Sequence, residues 1–391
     1  MLPLAEYRDR QQRLRAAMAE RGIDAVYLSF TPNLDYVAAL PTRRRGATET
    51  RHPGDWLTGA FYTQKDELVV LSPRMDQRWV EPAVEAVPWV QELRIFGDQE
   101  DPAPVCKDVV ERLGLPENAR IAIDDRAWAE TLIGLQGVLP NARFSKALDM
   151  LGPMRAVKSE AELEVMLVTN RIVDDVLAEI DPWLRVGMTE HDITSEVSRL
   201  ILKHGGEGTS FESNIRALKQ GVPRPAEVAG RRTTGSQLHR GGTVSFDFGA
   251  TYQGYASDFG RTVFIGEPDP ELLTCHRLIM DAQAAAMAMM KSGEATCQDA
   301  DRTARGIIAD GGYGQYFTHR LGHSIGKDMH ETPWLIEGEE AVLQTNMCYT
   351  VEPSIMLPGR AHIRVEDVVV VKPDGARFLT TTGHDPIVVE G

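Results

Sequence analysis

Two pairs of carboxylates, each set in an apolar run that folds back on itself, constrain this chain more than any other feature. In Val244-Ser-Phe-Asp247-Phe-Gly-Ala-Thr-Tyr-Gln-Gly-Tyr-Ala-Ser-Asp258-Phe-Gly-Arg-Thr262 the two acids are eleven residues apart. A hairpin turning at their midpoint, between Tyr252 and Gln253, sets Asp247 opposite Asp258. In Tyr349-Thr-Val-Glu352-Pro-Ser-Ile-Met-Leu-Pro-Gly-Arg-Ala-His-Ile-Arg-Val-Glu366-Asp367 the midpoint is Gly359, inside the turn signal Pro358-Gly359, so Glu352 is expected opposite Glu366. Between the hairpins lies His319-Arg-Leu-Gly-His323-Ser-Ile-Gly-Lys-Asp-Met-His330-Glu331, where Gly322 and Gly326 argue for a strand and loop presenting imidazoles rather than one helix.

Carboxylates in such runs are costly if they face a core unpaired, and metal ions remove that cost. A single Asp would be read as solvent-facing, since acids are mostly exposed. Four acids converging with a histidine are read as a metal centre. Oxygen-rich ligands with one imidazole suit Mn, with Co, Fe or Zn as alternatives, and four carboxylates balance two divalent ions. A pair of ions roughly 3.5 to 4 Å apart activates water and polarises a carbonyl, which is hydrolase chemistry.

The motifs Asp-x10-Asp, Gly-His-x-x-Gly-x-x-x-His-Glu, Val-Glu-Pro and Arg-x-Glu-Asp resemble those of the pita-bread metallopeptidases, which include methionine aminopeptidase, Xaa-Pro aminopeptidase, prolidase and the non-peptidase creatinase. The resemblance runs from about residue 155 to 385. It implies an α/β amino-terminal domain followed by an α+β pita-bread catalytic domain with a curved antiparallel sheet. It implies that Asp247, Asp258, His323, Glu352 and Glu366 hold two divalent metal ions, with Asp258 and Glu366 bridging, and that His319 and His330 stand on the substrate side. Glu352 is then expected to shuttle a proton to the leaving nitrogen while His330 stabilises the oxyanion. The implied substrate is a small amide, most specifically an Xaa-Pro dipeptide.

The chain departs from the family pattern in two places. Peptidases of the family carry a Pro-His histidine sixteen or seventeen residues before the first ligand Asp, and here those positions are Gly230 and Arg231. Creatinase uses that histidine as its base, so creatinase chemistry is disfavoured. A metal-dependent non-peptidase acting on a small zwitterion, as in dimethylsulfoniopropionate lyases of this fold, is the alternative reading. The second departure is His362, where the family has glycine. Even spacing places His362, Arg364 and Glu366 on one strand face, which makes His362 a candidate catalytic residue and Arg364 a candidate substrate contact, unless His362 packs beside the Pro358-Gly359 turn.

A length of 391 residues predicts two domains, and the capping box Ser159-x-x-Glu162 opening a helix places their boundary near residue 153, giving 1–152 and 153–391. Leu163, Met166, Leu167, Val173, Val176, Leu177 and Ile180 give that helix its expected core stripe. Hydrophobic content is 42% with no apolar run near the roughly 18 residues of a membrane span. The formal charge of -15 disfavours nucleic acid and anionic membranes as partners. The four cysteines, Cys106, Cys275, Cys297 and Cys348, have no paired spacing. Charges come early in Met1-Leu-Pro-Leu-Ala-Glu-Tyr-Arg-Asp-Arg10, so cytoplasmic residence is expected. Within this acidic chain, the loop from Pro41 to Trp56 is basic. In creatinase-like members the amino-terminal domain reaches toward the partner's active site, so a homodimer is expected and Arg43, Arg44 and Arg45 are candidate contacts for a substrate carboxylate.

Overall fold

The computed structural model describes residues 2–42, 52, 54–224 and 235–390. Arg43, Arg44 and Arg45 lie outside these residues, as do Gly230 and Arg231. The chain separates into two compact units, the first ending at Arg155 and the second beginning at Ala156.

The first unit is built on six strands, β1 (Ala25–Leu28), β2 (Gly59–Thr63), β3 (Leu68–Pro73), β4 (Glu92–Phe96), β5 (Arg120–Ile123) and β6 (Arg143–Lys146), in the order β4-β3-β2-β1-β5-β6. The pairs β1/β5, β3/β4 and β5/β6 are parallel, whereas β1/β2 and β2/β3 are antiparallel. The opening helix Leu4–Arg21 stops at Gly22, whose φ of 62° is the left-handed conformation glycine supplies at a helix end. Tyr27, Phe61, Leu71, Val109 and Ile121 fill the core behind the sheet.

In the second unit the strands are β7 (Gly208–Thr209), β8 (Arg216–Leu218), β9 (Thr243–Phe248), β10 (Ala250–Tyr252), β11 (Tyr255–Ala256), β12 (Phe259–Ile265), β13 (Gly322–Ser324), β14 (Glu331–Leu335), β15 (Cys348–Val351), β16 (Ser354–Leu357), β17 (Ala361–Arg364), β18 (Asp367–Lys372), β19 (Gly375–Phe378) and β20 (Ile387–Val389). Two sheets dominate, ordered β20-β12-β9-β8 and β14-β13-β15-β18-β19. Each sheet has its own pair of helices. Helices Glu160–Ile180 and Glu190–Lys203 pack their buried faces with Val244, Phe246, Phe248 and Val263 of the first sheet. Helices Pro270–Met289 and Cys297–Asp310 do the same with Tyr349, Val351, Val369 and Val371 of the second.

Ser159 caps its helix as the sequence predicts, its hydroxyl accepting from the Glu162 amide at 3.2 Å while the Glu162 carboxylate accepts from the Ser159 amide. The expected stripe needs one correction. Leu167 is 45% exposed, and Ile172 is buried instead, because the helix turns 100° per residue and Leu167 falls outside the arc that Met166 and Val173 bury.

Candidate metal centre

The first acidic hairpin does not set its two aspartates opposite each other. Asp247 faces Gly260 and Phe248 faces Phe259 in the β9/β12 ladder, so Asp258 lies two residues short of Asp247's partner, in the link that joins β11 to β12. The cause is the turn. Gln253 and Gly254, with φ of 47° and 73°, form a two-residue reversal that pairs Tyr252 with Tyr255, and a turn of that length fixes the register independently of where the acids fall. The second hairpin keeps its expected register. Val351 stands opposite Asp367 and Ser354 opposite Arg364, which leaves Glu352 and Glu366 across from each other between the two ladders. Gly359, at φ 66°, makes the turn.

Gly260 then ties one hairpin to the other, pairing with Glu366 in an antiparallel bridge. A Cβ on Gly260 would lie 2.8 Å from Arg364 Cδ and 2.9 Å from Glu366 Oε2, so only glycine allows this approach.

Asp247, Asp258, His323, Glu352 and Glu366 come together around Arg364. Nη1 of Arg364 lies 2.5 Å from Asp247 Oδ2 and 3.0 Å from Glu366 Oε2, and Nη2 lies 3.5 Å from Glu352 Oε2. Expected as a substrate contact, Arg364 is here the cation among the acids, and their charges hold its guanidinium protonated against the cost of burial. His323, on β13, directs Nε2 to Asp258 Oδ2 at 3.4 Å and Glu352 Oε1 at 3.7 Å. Its Nδ1 donates to the Ser324 carbonyl at 3.1 Å, the tautomer that leaves Nε2 free as a ligand. Ligand atoms of Asp258, His323 and Glu366 all lie within 4.8 Å of one another, and all three residues are buried.

Burial dominates the electrostatics. It raises Asp258, pushes Glu366 well above the usual carboxylate range and lifts Glu352 to about 7, the last against the opposing pull of Arg364 and His323. A divalent ion would favour the ionised forms again. Asp258 Oδ1 is buried without a hydrogen-bond partner, a costly condition for a carboxylate oxygen unless a cation completes it. Donor chemistry, burial and this orphaned oxygen all fit a divalent metal.

The remaining histidines divide. His319 is fixed in the wall, its Nδ1 donating to the Arg320 carbonyl at 2.7 Å and its Nε2 accepting from Ser354 Oγ at 2.6 Å, and burial lowers it to about 4. His330 leaves one edge exposed and packs edge-on to the His323 ring, centroids 4.2 Å apart, while Arg320 Nη2 donates to its Nε2 at 3.1 Å. Desolvation of its packed face, then the charges of His323 and Arg320, hold it below the usual histidine range. His362 is in strand β17 and buried, with Nδ1 3.3 Å from Ser245 Oγ.

Several supporting residues escaped the sequence reading. Asn214 donates its amide N–H to the Asp247 carbonyl at 2.7 Å and its Nδ2 to Asp247 Oδ2 at 3.3 Å. Thr262 Oγ1 accepts from the Arg364 amide at 2.8 Å. Asp367, the neighbour of Glu366, points the other way and pairs with buried Arg261 at 2.7 Å, while accepting from His384, Gln283 and Thr380. The two-residue alternation of a strand was the signal for Asp367, since consecutive acids must face opposite sides. Nothing in the sequence marks Asn214 or Thr262.

A two-unit chain whose second unit packs helices on largely antiparallel sheets, with a carboxylate-histidine cluster between two hairpins, defines the pita-bread class of metal-dependent hydrolases. The chain belongs to metallopeptidase family M24, whose model matches residues 164–373, and a creatinase/prolidase N-terminal domain matches residues 10–157. An Xaa-Pro dipeptidase of Lactobacillus delbrueckii subsp. lactis is 30% identical over 376 residues, covering 95% of this chain and 97% of the relative. A dipeptidase structure from Pyrococcus horikoshii OT3 superposes with a TM-score of 0.85 at 28% identity, over 97% of this chain and 100% of that one. A prolidase structure from Thermococcus sibiricus gives 0.85 at 25% identity, over 98% and 99%. Membership of this family brings divalent metal binding with it. Among the described residues no helix is long and apolar enough to cross a membrane.

Proposed function

We propose that the chain is an Xaa-Pro dipeptidase whose metal pair is held by Asp247, Asp258, His323, Glu352 and Glu366. The observation that carries this reading is the convergence of those five side chains, from two hairpins and a strand, with Asp258 Oδ1 buried and unpartnered among them. When bound, the ions supply an activated water and a polarised scissile carbonyl. Manganese suits the oxygen-rich set. The chain's own groups do the rest. Glu352 passes a proton to the leaving nitrogen. His330, at the open edge of the site, donates to the developing oxyanion. His319, locked by Ser354, shapes the wall behind the substrate.

The non-peptidase alternative loses support because relatives that align along nearly the whole chain carry dipeptidase and prolidase names. The homodimer and the role of the basic loop belong to the same reading and rest on the family resemblance, and the cytoplasmic setting rests on the early charges of the sequence. The test is a panel of Xaa-Pro dipeptides offered to the manganese-loaded protein, with Xaa-Ala dipeptides as controls. Cleavage confined to the Pro series supports the assignment, and a metal-loaded protein inert to both series overturns it.

A further inference from the structure

His362 shares a face of the β16/β17 hairpin with the acids. Its cross-strand partner is Met356, the next pair inward is Ser354 with Arg364, and the pair beyond that is Glu352 with Glu366. The opposite face, Ile355 and Ile363, is core. Across the site, Ser245 precedes Asp247 by two residues on β9 and so lies on Asp247's face, about 7 Å along the strand. The contact between Ser245 Oγ and His362 Nδ1 therefore brings the imidazole to one rank from Asp247.

The ring is buried, only 4% exposed, and Nε2 has no hydrogen-bond partner. When Ser245 O–H donates to Nδ1, the proton of the neutral ring sits on Nε2, an N–H with nothing to receive it. A buried donor without a partner is costly to hold in the ligand-free state. Burial, and then the positive charges of Arg364 and Arg216, keep the ring neutral.

We propose that His362 is a specificity-determining residue whose Nε2–H, fixed by Ser245, donates to the terminal carboxylate of the substrate. This rests on the dipeptidase reading. The one-rank offset from Asp247 matches the reach from a scissile carbonyl beside Asp247, across one extended residue, to a hydrogen bond at its carboxylate. Met356 is half-buried and unbranched, the side chain suited to moving aside as the ligand enters.

The test uses two arms on the metal-loaded full chain. Calorimetric titration compares a reduced-amide analogue of alanyl-proline, which cannot be cut, with its C-terminal carboxamide. Wild type is expected to bind the carboxylate form about 10- to 100-fold more tightly, the scale of one hydrogen bond to a charged group. His362→Ala should erase the preference, His362→Gln should restore part of it through its amide N–H, and Ser245→Ala should weaken it. No preference in wild type, or equal weakening of both ligands in His362→Ala, overturns the inference. Turnover of alanyl-proline is the second arm, and its absence with the binding preference intact overturns the dipeptidase reading alone.

Discussion

Gly260 and Glu366 exchange both of their backbone hydrogen bonds, the Gly260 amide donating to the Glu366 carbonyl at 3.1 Å and the Glu366 amide donating to the Gly260 carbonyl at 2.9 Å. This bridge helps to lock the two acidic hairpins together, and it brings the Glu366 carboxylate to where a Cβ on residue 260 would sit. Gly260→Ala should therefore cost about 1–3 kcal/mol of stability as an overpacked site and displace Glu366. Thermal unfolding together with metal content checks this, and a variant with wild-type values in both would show that the approach is looser than described.

Arg364 is the cation among three carboxylates, of which Glu352 and Glu366 are buried and Asp247 is half-buried. Arg364→Leu in the metal-free protein should destabilise by about 3–5 kcal/mol, the scale for removing one partner of a buried ion pair. Added manganese should raise the variant's melting temperature more than the wild type's, since the metal then replaces a missing charge as well as binding. Equal shifts in the two proteins would mean that Arg364 does not balance these acids.

Lys158 makes a buried ion pair with Glu331 at 3.0 Å, and Glu331 in turn accepts from the Asp328 amide at 3.2 Å. The pair anchors the segment that ends in His330. Lys158→Met should lower kcat with metal content retained, and Lys158→Arg should recover part of the loss. Native kcat in Lys158→Met would separate the anchor from the chemistry.

How much of this was legible in the sequence depended on which constraint set the geometry. The second hairpin could be read by arithmetic because Pro358-Gly359 places its turn at the midpoint of Glu352 and Glu366. The first could not, because the Gln253-Gly254 reversal, not the aspartates, fixes the register. The capping box at Ser159 was readable as a local hydrogen-bond pattern. Arg364 was assigned to substrate because a sequence shows which face a residue shares but not what crosses to it from β9. Asn214 and Thr262 contact the site only through the folded arrangement of strands distant in sequence.

His276 supplies a pH signature away from the metal ligands. It is 3% exposed, packed edge-on to Phe264, and burial with the nearby Arg261 lowers it from 6.5 to about 4. Between those values the unfolded chain binds a proton that the folded chain refuses, so stability rises with pH through this window and falls as the solution is acidified from about 6.5 toward 4. The full effect is on the order of 3 kcal/mol. His276→Gln should flatten this part of the stability profile in denaturant titrations at successive pH values, and an unchanged slope would place the acid sensitivity in other groups.

The most direct test of the account is a calorimetric manganese titration of the metal-free chain, repeated on Glu366→Gln and His330→Ala. The account predicts two ions per wild-type chain, at least a tenfold loss of affinity in Glu366→Gln, and unchanged binding with lost turnover in His330→Ala. Wild-type affinity in Glu366→Gln, or a chain that binds no divalent ion, would contradict it.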